Sequence, residues 1–159
     1  MLSCIERAEL LFLYVIMNRQ SINWYAEQPA VMPDIDRSAT ERWLCEVAAA
    51  HGFRIGVMNY IFCDDEKILE VNRQFINHDY YTDIITFDYS RGDVVSGDIY
   101  ISLDTVATNA SAYAPDYRRE LFRVIAHGLL HLCGIDDKGP GEREIMERNE
   151  DEALAMLDK

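Results

Sequence analysis

Residues 117–133 read YRRELFRVIAHGLLHLC, from Tyr117 to Cys133, and Gly134 follows. Projected as a helix at about 100° per residue with His127 at zero, Leu121, Ile125, Gly128, Leu129 and Leu132 fall between roughly 100° and 200°. His131 falls near about 40°, Glu120 near about 20° and Arg123 near about −40°. One side is thus an apolar stripe for a core. The opposite side carries two histidines one turn apart, flanked by an acid and a base. Glycine at 134 permits a left-handed turn that ends the helix.

Working outward, Val57–Cys63 (VMNYIFC) is almost entirely apolar, the pattern of a central strand covered on both faces. Ile22–Ala26 is a short strand. Asp83–Tyr89 (DIITFDY) and Gly97–Ser102 (GDIYIS) alternate and form a hairpin. A capping box, Ser38 to Glu41, opens a helix with Trp43, Leu44, Val47 and Ala48 inward, which ends near His51-Gly52. Asp64 and Asp65 open a second helix whose inward stripe is Ile68, Val71 and Phe75. Ser102 or Asp104 caps a third. The last, from about Gly141 to Leu157, buries Ile145, Met146 and Leu157 and turns an acidic, solvated face outward. The order β-α-β-α-β-β-α-α-α predicts a single α+β domain: a mixed four-stranded sheet packed with about five helices.

The 159 residues carry a net charge of −13 and 49% apolar residues. That composition is globular, and the charge opposes nonspecific binding to phosphate backbones. Any nucleic-acid activity must therefore rest on a local site. Four cysteines without a CxxC pair point to a reducing compartment, with no disulfide-linked partner. No run reaches the roughly 18 apolar residues of a membrane span. Leu10–Met17 (LLFLYVIM) has the length of a signal core, but Glu6 and Glu9 precede it and no cleavage site follows. It reads as a helical extension, or as a segment upstream of a start at Met17.

Histidines at i and i+4 aim imidazole nitrogens at one point, which suits a shared cation. Beyond the Gly134 turn, Asp137 can fold back as a third ligand, with Asp136 the candidate if the turn shifts by one. Two histidines and one carboxylate leave a position open for water. The spacing of His127-Gly-Leu-Leu-His131-Leu-Cys-Gly134-Ile-Asp-Asp137 matches the zinc-peptidase pattern HExxHxxGxxH, a zincin-like metal helix. The glutamate that serves as general base in that pattern is replaced by Gly128, which argues against peptide hydrolysis. Asp83 and Asp98 can orient the histidines or serve as turn and cap residues. Arg123 pairs with Glu120, and Cys133 packs in the core.

HGLLHLCGIDD resembles the HGxLHLxGxDH signature of the YbeY proteins, metal-dependent bacterial endoribonucleases that mature ribosomal RNA. Thr82–Phe87 (TDIITF) is similar to the family's TDVLSF segment, Gly97–Ile101 to its GDIxI strand, and Val71-Asn72 to its LN pair. The resemblance covers Ile22 to the C-terminus, leaving 1–20 as an extension and 21–159 as the hydrolase domain. It implies hydrolysis by a metal-bound water, with His127, His131 and Asp137 holding one Zn2+ or another divalent metal. It further implies a single-strand-specific activity in late small-subunit rRNA maturation at the 16S 3′ end and in ribosome quality control. The implied partners are ribosomal RNA and the small ribosomal subunit, in the cytoplasm. This chain departs from the family twice. Asp137 stands where a third histidine is usual, which widens the choice of metal. Ile76 stands where many members have an arginine important for RNA cleavage, with Arg123 the candidate substitute for phosphate binding. These departures, with the charge of −13, support an alternative: a non-catalytic ribosome-assembly factor with a structural metal.

Overall fold

The long apolar strand is central, as its composition predicts. In the computed structural model, which describes residues 1–17, 19–76, 82–113 and 116–159, with no account of the side chains of 15–17, 76 and 113, β2 (Arg54–Cys63) pairs in parallel on both sides. Its neighbours are β1 (Ser21–Ala26) and β4 (Val94–Ser102). The edge strand β3 (Ile84–Asp88) runs antiparallel to β4, completing a mixed sheet of order β1-β2-β4-β3. The helices are α1 (Cys4–Met17), α2 (Arg37–Ala50), α3 (Asp65–Val71), α4 (Leu103–Tyr113), α5 (Tyr117–Leu132) and α6 (Glu142–Leu157). No helix among the described residues is long and apolar enough to cross a membrane.

Period-two alternation divides the sheet between two cores. Val95, Ile99 and Ile101 of β4 face the main core with α2, α5 and α6. Tyr100, Ile85 and Phe87 face a smaller cluster with Ile68 and Val71 of α3. Polar residues share that second face in a ladder across three strands: Asn23 Nδ2 donates to Asn59, and Asn59 Nδ2 donates to Asp98. Asp98 therefore belongs to the sheet and not to the histidines.

Two buried hydrogen bonds tie the helices down. Tyr60 Oη donates to the Ile125 carbonyl of α5 at 2.9 Å, and Trp43 Nε1 donates to the Ala153 carbonyl of α6 at 2.7 Å. At Gly128, α5 lies tight against the sheet. A Cβ there would meet Ile99 at 2.9 Å and Ile84 at 3.0 Å. The slot that holds the general base in zinc peptidases is thus pressed against the strands, with no room for a side chain.

Several local expectations are corrected. Asp36, not Ser38, caps α2, its side chain accepting from the Ala39 amide. A carboxylate is favoured there by the helix dipole. Glu41 instead accepts from Trp24 Nε1. Phe75 is exposed, because after Val71 the helix widens into a π-turn over Asn72–Ile76 that rotates its stripe and buries Asn72. Ile145 is also exposed, while Met146 is buried. Ser102 caps α4 by accepting from the Thr105 amide. The side chain of Ile76, and His78, lie outside the described residues.

Candidate metal centre

The α5 helix ends as its glycine predicts. Gly134 has φ +87°, and the Ile135 amide donates back to the Leu130 carbonyl at 3.0 Å. This left-handed closure reverses the chain and returns the next residues to the histidine face. There Asp137 Oδ2 lies 3.3 Å from His127 Nε2 and 3.5 Å from His131 Nε2. The imidazole rings are 4.4 Å apart and nearly perpendicular, at 87°. All three donor atoms lie within 4.8 Å of one another, the only such group of three or more among the described residues.

Ligands about 2.0–2.1 Å from a tetrahedral zinc sit about 3.3–3.4 Å from each other, and the carboxylate-to-imidazole spacings match that value. The donor chemistry also fits a borderline divalent ion: two neutral nitrogens and one carboxylate oxygen. Asp136, the alternative third ligand, is exposed on the groove wall and outside the converging group.

The electrostatics separate the two histidines. Burial, reinforced by the proximity of His127, pushes His131 below its ordinary value, which favours the neutral, ligating form. For His127 burial acts in the same direction, but Glu150, Asp83 and Asp137 together outweigh it and raise the value. Burial raises both Asp83 and Glu120 above the ordinary carboxylate range.

The site opens into a groove of about 410 Å³ between α5 and the edge strand β3. Ile84 and Thr86 line one wall and Lys138 the other. Lys138 is the only Lys or Arg lining this groove among the described residues, and none of them engages its ammonium in an ion pair or hydrogen bond. Arg123 lies outside the groove, in a recess on the other side of His127. Its ion pairs run to Asp151 at 2.8 Å and Glu150 at 3.8 Å on α6, not to Glu120.

Sequence reasoning passed over two residues here. Lys138 follows directly on the ligand Asp137, a position visible in the motif once the turn is believed. The acidic residues of the last helix read as a solvated face, but Glu150 among them is 6% exposed. Its signal was its place in the α6 stripe with Met146, Ala153 and Leu154.

The fold and site define a class: an α+β domain presenting an HxxxH metal helix with a carboxylate third donor and no peptidase glutamate. A family model described as endoribonuclease YbeY matches residues 24–158. The chain belongs to the YbeY family. It is 62% identical over 133 residues to the endoribonuclease YbeY of Phocaeicola vulgatus, spanning 84% of this chain and 96% of the relative. It is 51% identical over 136 residues to the endoribonuclease YbeY of Porphyromonas gingivalis, spanning 86% and 89%. A Thermotoga maritima protein solved in solution superposes with a TM-score of 0.58 at 27% identity, over 86% of this chain and 89% of that one.

Proposed function

We propose that this protein is a metal-dependent endoribonuclease that cuts single-stranded RNA in late small-subunit rRNA maturation, at the 16S 3′ end, and in ribosome quality control. The observation that carries the reading is the convergence of His127, His131 and Asp137 at coordination spacing on the floor of an open groove. Membership of a family whose relatives are named endoribonucleases supplies the substrate class. One Zn2+ per chain is the ion we assign, held through both Nε2 atoms and the Asp137 carboxylate. When bound, such an ion lowers the pKa of a coordinated water and polarises a phosphoryl oxygen.

The chain's own residues do the rest. Gly128 supplies no side-chain base at the slot where zinc peptidases carry one. Lys138 sits on the groove wall as a phosphate contact, a local positive charge against a net −13. Arg123 is a second phosphate contact, fixed by Asp151 at the rim of the recess beside His127. We place the activity in the cytoplasm, with the small ribosomal subunit as partner, and assign the hydrolase domain to residues 21–159.

The test is cleavage of a single-stranded rRNA fragment. The reading predicts cutting that stops on chelation and returns with about one equivalent of zinc. Cutting that persists undiminished under chelation would contradict it. The charge of −13 favours the second reading, an assembly factor with a structural metal; salt-sensitive binding without chelator-sensitive cutting would establish that instead.

Replacing Lys138 with Met should raise KM several-fold with little change in kcat. The dependence of log affinity on log salt should become shallower by about 0.7, one phosphate contact on a single strand. An unchanged salt slope would remove Lys138 from the substrate path.

A further inference from the structure

The buried residues of α6 are apolar except at one position. Met146, Ala153 and Leu154 are buried there, and so is Glu150, at 6% exposure. A carboxylate in such a stripe is costly unless a partner compensates its lost hydration. Glu150 Oε1 lies 3.5 Å from His127 Nδ1. Its Oε2 is buried without a hydrogen-bond partner and lies 3.8 Å from the Arg123 guanidinium. Arg123 is itself held by Asp151. The His127 ring is therefore spanned between two carboxylates, Asp137 on Nε2 and Glu150 on Nδ1.

We propose that Glu150 is the positioning residue of the metal centre: it accepts the His127 Nδ1–H, so that Nε2 is the ligating atom and the ring is held aimed at Asp137. A neutral imidazole has one N–H and two tautomers, and a carboxylate on one nitrogen selects the tautomer with its lone pair on the other. A charge-assisted hydrogen bond also makes the ring a better donor to a cation. Arg123 steadies the carboxylate from behind. His131 has no carboxylate ion pair besides Asp137 among the described residues, so the support falls on one ligand of the pair. The inference rests on the reading of His127 as a metal ligand.

The test is zinc affinity of the full chain, measured by competition with a chromophoric chelator. Glu150→Leu should weaken binding about 10–100-fold. Glu150→Gln, which keeps an oxygen acceptor, should lose less. Leu154→Ala loosens α6 without removing that acceptor, and should keep the wild-type affinity. Nitrogen NMR of the zinc-loaded wild type adds a readout independent of how the variants fold: His127 should carry its proton on Nδ1. The proposal is overturned if Glu150→Leu binds zinc as the wild type does, or if Leu154→Ala loses as much affinity as Glu150→Leu. It is equally overturned if the His127 proton sits on Nε2. A wild type that takes up no zinc would instead remove the metal reading itself.

Discussion

Replacing His127 and His131 together with Ala should abolish chelator-sensitive RNA cleavage, a loss of about 10³-fold or more, corresponding to about 4 kcal/mol of transition-state stabilisation. Zinc content should fall from about one equivalent to none. The fold should survive. Both imidazoles face the groove, and the apolar stripe of α5 that meets the sheet keeps every one of its residues. Far-UV circular dichroism should therefore stay close to wild type, with a fall in the metal-free melting temperature from uncovering the buried Glu150 carboxylate, while turnover disappears. Retained cleavage in a variant shown to be zinc-free would contradict the account.

The converse experiment targets the opposite side of the same helix. Leu129 lies between the two histidines in sequence, yet it is 0% exposed in the main core. Leu129→Ala removes three buried carbons from a core that α2, α5 and α6 share with the sheet. It should cost about 2–5 kcal/mol, the range for large-to-small core changes that leave a cavity. For a chain of this length that is a fall in melting temperature of about 5–20 °C. Protein still folded at low temperature should bind zinc in unchanged stoichiometry. A loss below about 1 kcal/mol would mean that α5 is not pinned to the sheet through this stripe. Together the two variants separate what the helix does for chemistry from what it does for stability.

That separation was legible in the sequence because one helix carries both halves of it. The 100° projection put His127 and His131 on one side and Leu121, Ile125, Leu129 and Leu132 on the other, and the turn at Gly134 required only a glycine with positive φ. The central place of β2 and the β3–β4 hairpin were legible for a similar reason: composition, alternation and length are local. What escaped depends on contacts between elements. Ser38 and Asp36 are both good caps, and the carboxylate two residues earlier won. The inward position of Phe75 assumed regular 3.6-residue winding, which the π-turn at Asn72–Ile76 breaks. Glu120 sits one turn from Arg123, so a pair within α5 was expected. The proximity of α6 offers Arg123 Asp151 and Glu150 instead. Glu150 stands in the α6 stripe at i+4 from Met146, so its burial is written in the spacing, but its partners His127 and Arg123 come from α5 and only packing brings them there.

The central claim is a point in space shared by His127 Nε2, His131 Nε2 and the Asp137 carboxylate. Crystals grown with zinc and measured across the zinc absorption edge test it directly. The account predicts one anomalous peak within about 2.0–2.2 Å of each of those three donors, with the groove side left to solvent. No peak between the histidines, or a peak whose ligands exclude Asp137, would contradict it.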